Sequence, residues 1–600
     1  MRKHLITFAT FAALCTMSYA AAQTAALPSV LEIFGVLPAP TYDPYTSQIP
    51  RRRPGHAFEP LPEFTVQNPN GLAPAPIDQA GAFVPVPDRW RIMETLGYKF
   101  PLTDPYNQNV LKGDKPIDGK DHFLSLSLIS DTVLKAQSTP LPVGPQGTGN
   151  PGELDLLGRV HQGVFVQNFI ASADYYKGDT TFKPPEIEFK ATLAFNYNYV
   201  HTQEARALQI DPRHGENRDD GFVGVQELFV DKHLRDVDSR YDFDSLRIGI
   251  QPFSTDFRGF LFQDSEPGVR LFGNRDNNRW QYNFAYFRRL EKDLNSGLND
   301  VTKSPRHDDI LLANVYRQDW PWVGYTSQAT IVYNHNSDDR FYNSNGFIER
   351  PAAIGLQLPR SYDVTYLGYN GDGHIGRINL TGSAYYAIGH QSHGVFVEES
   401  TQIRAGFLAA EASMDFDWIR VRASGAYASG DKKAYDDKSN GFDAIFENPI
   451  FAGADTSYFI NQGIPFIGGG GVALVQPHGM LPDLRTSKQQ GQSNFDNPGL
   501  RLLGVGADFD LSPRSRLSGN LNELWFDNTA TLEAARQQAS IARNIGTDAS
   551  VAWIYRPFFT QNIVLRLSGA ALRPGTGFKN LFGTEHSFYY SVLANVILTY

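Results

Sequence analysis

Cysteine is almost absent from this chain: Cys15 is the only one in 600 residues, and there are only 5 methionines. Cys15 lies inside a leader-like segment, so beyond it disulfides, thiol catalysis, cysteine-ligated zinc and c-type haem attachment are excluded. Long apolar runs are missing as well. Nothing approaches the ~18 residues of a membrane-crossing helix, and the mean hydropathy is −0.34. That average is blind to strands in which apolar and polar residues alternate, so a membrane β-barrel stays open. The chain has no Gly-x-Ser-x-Gly elbow, no HExxH and no dinucleotide fingerprint, and no Gly-Lys-Ser or Gly-Lys-Thr follows Gly468 to Gly471. His390 and His393 have no third ligand beside them, and the acidic run at 431–443 lacks the spacing and closing glutamate of a calcium loop, so it reads as a solvated face. No catalytic residue, metal or cofactor is therefore assigned. A net charge of −10 carries no footprint for nucleic acid.

Aromatic residues are what the chain has in quantity, with 28 Tyr and 41 Phe. They suit strands and interfacial girdles. From Phe588 onward one set of alternate positions is Phe588, Tyr590, Val592, Ala594, Val596, Leu598 and Tyr600, all apolar or aromatic, while the other face, Tyr589, Ser591, Leu593, Asn595, Ile597 and Thr599, mixes polar with apolar. That is the period of a strand with aromatic residues at both membrane interfaces. It resembles the C-terminal strand signal of bacterial outer-membrane barrels, which implies the barrel-assembly machinery as a partner. The segment EIEFKATLAFNYNYV repeats the pattern, with Ile187, Phe189, Ala191, Leu193, Phe195, Tyr197 and Tyr199 on one face and Glu188, Lys190, Thr192, Asn196 and Asn198 on the other.

The chain divides into three parts. Residues 1–22 read as a secretory signal peptide: Arg2, Lys3 and His4, an apolar segment, then small residues at Ala20, Ala21 and Ala22. Residues 23–120 are proline-rich and weakly periodic, and read as a periplasmic extension that offers a dock for a periplasmic partner. Arg51, Arg52 and Arg53 within it read as solvated. Residues 104–116 have turn chemistry at both ends and suit a small plug beneath a barrel. Residues 121–600 carry strand-length segments whose connections alternate between short and long. Counting back from Tyr600 puts short joins at 556–561, 511–515, 415–417, 371–373, 318–322 and 274–278, and long ones at 573–584, 527–546, 429–497, 391–402, 335–361 and 291–306. A soluble sandwich has no reason to keep that asymmetry. The fold class is thus all-β: a transmembrane antiparallel up-and-down barrel of about 18 strands in the bacterial outer membrane, with its lipid as partner.

If the apolar positions face lipid, their neighbours line the pore. The cations assigned there are Lys190, Arg247, Arg270, Arg279, Arg377, Arg420, Arg422, Arg516 and Arg566, against Glu188, Glu411 and Asp508. A basic excess of this kind favours anions. The competing reading is that interior arginines pair with carboxylates and brace the wall. The connection at 429–497 is long enough to fold inward as a constriction or outward as a lid. Residues 527–543 read as a helix capped by Asn528 or Thr529.

Three stretches of the last third, LLGVGADFDLSPRSRLSGNLNELWFDN, NIGTDASVAWIYRPF and NIVLRLSGAALRPGTGF, resemble the bacterial alginate-export family of outer-membrane channels. The likeness lies in a Gly-bearing strand, a strand ending near Trp525, Phe526 and Asp527, an external segment closing on Ile545 and Gly546, and Pro574-Gly575 after the next-to-last strand. Where that family tends to carry Gly-Arg-Gln, this chain has Gly249, Ile250 and Gln251. The resemblance implies a channel with an arginine-lined lumen that passes an anionic polysaccharide. The function expected is passive passage of hydrophilic, anionic solutes or polysaccharide. The alternative is a barrel that serves as scaffold or sheath for a partner protein.

Overall fold

A strand that is apolar on one face and polar on the other has to separate lipid from water, and in lipid every backbone group has to find a partner within the sheet. The computed structural model meets both demands. It describes residues 96–97, 102–106, 109–118, 121–141, 159–178, 184–238, 242–453, 456–461, 488–558, 562–584 and 586–600. The leader at 1–22 and Arg51 to Arg53 lie outside the described residues.

Eighteen antiparallel strands form the wall: β1 His122–Ser138, β2 His161–Lys177, β3 Ile187–His201, β4 Asn217–Asp236, β5 Phe243–Ser254, β6 Gln263–Arg275, β7 Trp280–Arg288, β8 Asp308–Arg317, β9 Tyr325–Asn336, β10 Tyr362–Ile375, β11 Ile378–Gln391, β12 Thr401–Phe416, β13 Ile419–Ala428, β14 Leu500–Ser512, β15 Ser515–Trp525, β16 Asn544–Tyr555, β17 Ile563–Pro574 and β18 Tyr589–Thr599. Each pairs with the next, and β18 returns to β1, with Thr599 opposite Ile129 and Ser591 opposite Gln137. The sheet is therefore closed. A nineteenth member is the short piece Lys438–Ser439, which lies parallel beside Gln402 and Ile403 of β12.

The alternation read from the sequence is borne out on β3. Phe189, Leu193, Phe195, Tyr197 and Tyr199 are exposed on the outer face, while Thr192, Asn196 and Asn198 are buried on the inner one. On β18, Val592 and Val596 point outward and Tyr589 and Ser591 are buried inside. The parity is reset in the middle of β4. Thr192 pairs with Glu227 and Leu193 with Val225, so Gln226 is an extra residue in a β-bulge. Val223 and Leu228 consequently both face outward, an odd and an even position on one strand.

Short turns gather at one end of the barrel and long connections at the other, as expected of a bacterial barrel. One join lies elsewhere than the sequence reading put it. Gly371 and Gly373 are inside β10, and the turn is Gly376-Arg377, where Gly376 takes a left-handed φ of 59°. The helix expected at 527–543 is shorter, Ala530–Arg536 with Thr529 as N-cap, and it stops where Gln537 turns left-handed. The described part of 104–116 lies along the short-turn end of β1. The buried apolar core is inside the wall, where Phe260, Phe262, Phe442, Phe446, Phe451 and Phe459 come together from loops at the long-connection end.

Outward and inward neighbours should respond oppositely to charge. Val551 on β16 is 47% exposed on the lipid face, beside the inward Ser550. Val551→Arg should destabilise the barrel by about 2–4 kcal/mol, whereas Ser550→Thr should be nearly neutral; urea-driven unfolding in lipid vesicles measures both.

Candidate functional site

The lumen is lined by the inward positions of the wall strands, and seven of the cations assigned from the sequence lie there: Lys190, Arg247, Arg270, Arg420, Arg422, Arg516 and Arg566. Two do not. Arg279 is in the turn after β6, beside Asp276 at 3.8 Å, and its side chain is well exposed. Arg377 is in the exposed Gly376-Arg377 turn, reaching the Asp415 carbonyl at 3.4 Å. Both were placed in the wall because the neighbouring strands were read as ending too early or too late, and a turn residue has no inward side.

The carboxylates change the electrostatic reading. Lys190 is 3.1 Å from Glu227, and Arg247 is 2.8 Å from Asp231 and 3.4 Å from Glu188. Arg420 Nη2 donates to Asp415 at 2.7 Å, Arg516 Nη2 to Asp510 at 2.7 Å, and Arg422 lies 3.3 Å from Asp508. Glu227, Asp231, Asp415 and Asp510 were not counted on the inward face, so the basic excess expected from the sequence is largely cancelled. The bracing role of interior arginines accounts for these five cations. Arg270 is different. Its Nε donates to the neutral amide oxygen of Asn283 at 2.7 Å, and its guanidinium lies 4.5 Å from the Phe272 ring centre and 5.2 Å from that of Phe253. Among the described residues no carboxylate forms an ion pair with it.

The described parts of the connection after β13, residues 429–453, 456–461 and 488–499, fold inward. Its first part crosses the lumen to the far wall. Asn522 of β15 donates to the Ala452 carbonyl at 2.9 Å, and Asp548 of β16 accepts from the backbone N–H groups of Tyr458 at 3.2 Å and Phe459 at 2.9 Å. Arg258, from the loop between β5 and β6, ties Glu411 of β12 at 3.2 Å to the Ile450 carbonyl at 2.9 Å. Phe442 and Phe451 bury their rings against Phe407 and Phe260, and Phe446 is bridged through its backbone to Phe262.

The returning part, residues 488–493, is held by a row of arginines. Arg289 donates to the Lys488 carbonyl at 2.8 Å, Arg350 to that of Gln490 at 2.5 Å, Arg306 to that of Gly491 at 2.7 Å and Arg360 to that of Ser493 at 2.9 Å. An extended backbone offers carbonyls, and guanidinium offers several donors in a fixed plane. Carboxylates position the row: Asp308 accepts from Arg289 at 2.9 Å, Asp338 from Arg306 at 2.6 Å, and Glu291 from Arg350 at 3.2 Å. Lys488 then turns back into the loop and sits between Asp443 at 2.9 Å and Glu447 at 2.8 Å. Asp443 and Asp431 are thus buried, where the acidic run was read as a solvated face.

Sequence reasoning missed this grip because Arg289, Arg306 and Arg360 lie in irregular connections and Arg350 ends a three-residue strand, Ile348–Arg350, too short for periodicity to tell inside from outside. The charge density of RRLEKD and SPRHDD was the available signal.

No protein-family model matches the chain, and no curated protein matches its sequence. Among solved structures, Pseudomonas aeruginosa OccK7 (OpdD) aligns with a TM-score of 0.43 at 11% identity, over 80% of this chain and 98% of that one. Acinetobacter baumannii OccAB3 aligns with a TM-score of 0.43 at 11% identity, over 80% and 99%. A BenF-like porin from Pseudomonas fluorescens Pf-5 aligns with a TM-score of 0.43 at 10% identity, over 80% and 98%.

Two predictions follow from the grip. Arg306→Met leaves Asp338 and Asp308 buried beside too little positive charge, which should cost about 3–5 kcal/mol and expose residues 488–499 to limited proteolysis. The second concerns pH. Burial pushes Glu447 from 4.5 up to about 7, with Lys488 opposing and Asp443 adding to the rise. A detached loop would ionise Glu447 near its ordinary value, so attachment is favoured below that value and weakens as pH rises from there towards 7. Asp338 has the opposite sign. Burial alone would raise it, but Arg306 and Arg350 hold it below the usual range, so its contribution is lost only in strong acid. Proteolysis of the loop should quicken between pH 5 and 8, and Glu447→Gln should flatten that profile.

Proposed function

We propose that the protein is a passive outer-membrane channel for hydrophilic solutes, with the short turns in the periplasm and residues 429–453, 456–461 and 488–499 narrowing the lumen from the outer side. The observation that carries this reading is the combination of a closed eighteen-stranded wall, apolar outside and polar inside, with a long connection folded into it rather than over it. A barrel of this strand number is wider than its own side chains can fill. The inward loop therefore sets what passes, and the wall presents ion pairs and amides instead of an apolar surface. No covalent step is involved.

Anion preference rests on fewer groups than the sequence implied. Arg270 is the lumen cation that supports it best, because its charge is met by an amide and two rings. An anionic polysaccharide, as carried by the alginate-export likeness of the last third, is one candidate solute within this reading; small anions are served by the same chemistry. The aromatic-ended strand β18 is read as the part recognised by the barrel-assembly machinery, and residues 23–120 as the part available to a periplasmic partner.

The chain refolded into planar bilayers should conduct, with a zero-current potential in a salt gradient that reports anion preference. Arg270→Gln should move that potential towards the cation side while single-channel conductance changes less than twofold. A wild-type protein with no conductance, purified with a partner held in its lumen, would replace the channel with a sheath.

A further inference from the structure

β18 is shorter than the strand it closes against. It covers Ile129 to Gln137 of β1, which leaves His122 to Leu128 at the short-turn end without a strand on that side apart from the bonds between Leu128 and Tyr600. The open stretch is filled by the chain's own upstream segment. Leu126 N–H donates to the Leu111 carbonyl at 2.7 Å, Gly113 N–H to Leu124 at 2.9 Å and Ile117 N–H to His122 at 2.7 Å, with Lys112 bridged antiparallel to Ser125. Lys112 Nζ also donates to the Leu126 carbonyl at 2.7 Å and lies 4.2 Å from the Tyr600 ring centre.

Asn109 is the knot of this segment and is fully buried. Its side-chain amide donates to the carbonyls of Leu102 at 2.7 Å and Asp104 at 2.8 Å, and to the Tyr600 hydroxyl at 3.1 Å. The Tyr600 hydroxyl in turn donates to the Leu102 carbonyl. The docking surface is therefore composite. One half is the edge of β1, and the other is Tyr600, which stands beside that edge only when β18 has paired with β1.

We infer that residues 102–106 and 109–118 are a latch on the β1–β18 seam: their backbone bonds go to the edge of β1, Asn109 and Lys112 reach across to Tyr600, and these last contacts, made only once β18 has paired with β1, hold the barrel closed. A seam is where a barrel opens most readily, since it joins the strands most distant in sequence and has the largest loop-closure cost. Covering the unmatched part of β1 also removes a free strand edge.

A double-mutant cycle on the refolded full chain tests the latch, read as the rate at which the folded, detergent-resistant form converts to the unfolded form on heating. Asn109→Ala and Tyr600→Phe should each speed conversion by roughly tenfold, and the pair should be no faster than the worse single change, because both remove one shared contact. Effects that multiply, or rates equal to wild type, would overturn the latch. A second construction guards against misfolded variants. Lys112 and Ser125 face each other at a non-hydrogen-bonded pair, the geometry with the closest Cα approach, so Lys112→Cys with Ser125→Cys in a Cys15→Ser background should form a disulfide. Oxidation should slow conversion relative to the reduced form, and should lose that benefit when Tyr600→Phe is added; equal rates in the oxidised and reduced forms would likewise sink the proposal.

Discussion

A row of guanidinium groups on one stretch of backbone decides what this barrel is. The wall alone would enclose a lumen too wide to discriminate among small solutes, because eighteen strands leave space that inward side chains cannot fill. The chain that fills it, residues 488–493 together with 442–453 and 456–461, is mostly irregular, and irregular backbone inside a barrel has carbonyls to satisfy. Arg289, Arg306, Arg350 and Arg360 satisfy them from one side, while Asn522 and Asp548 hold the other part of the same loop from across the lumen. Each arginine is itself a buried charge, tolerable only because carboxylates or carbonyls meet it. The aromatic cluster around Phe442 and Phe446 adds the apolar contact, and Arg289 and Phe446 belong to both systems, with the guanidinium 4.8 Å from the ring centre.

The lower lumen follows a different rule. There the charges sit on wall strands and pair across neighbouring strands, each with a buried carboxylate: Lys190 with Glu227, Arg247 with Asp231, Arg422 with Asp508. Replacing such a buried pair by apolar residues is often neutral, so the pairs are weak evidence for stability. They do shape the field, because a paired arginine presents a dipole to the solute where a lone one presents a charge. The positive potential of the lumen then depends on the few cations that break the pattern, and Arg270 is one of them. A lumen rich in arginine is thus not the same as a lumen rich in positive potential.

The barrel was legible because its rule has one period and one boundary condition. Phe189 to Tyr199 alternate with Lys190 to Asn198, and the short-long rhythm of the connections fixes the direction of each strand. What failed was local. Gln226 adds one residue to β4 and flips the parity of Glu227, Phe229 and Asp231, so carboxylates that face the lumen appear to face lipid. Arg377 was placed in the wall because Gly371 and Gly373 look like a turn, whereas the chain turns three residues later at Gly376. The loop network was not legible at all. Arg306 and Asp338 meet at 2.6 Å across residues that share no repeat, and nothing in a loop's composition says whether its charges face solvent or each other.

Closure has the same character as constriction. In both places the regular wall stops short, and an irregular segment completes it through a buried side-chain donor aimed at backbone carbonyls: Arg306 at Lys488 to Gly491, Asn109 at Leu102 and Asp104. The two donors differ in charge, and the difference suits the sites. At the constriction, the arginines are neutralised by carboxylates already fixed on β8 and its neighbouring loops, so charge can be held inside the lumen. At the seam Asp114 accepts from the Asn109 backbone N–H at 3.2 Å, and the Asn109 side chain that contacts Tyr600 is a neutral amide. A neutral donor in that position satisfies three acceptors without bringing a second buried ion to the edge of the membrane, where desolvation would be expensive.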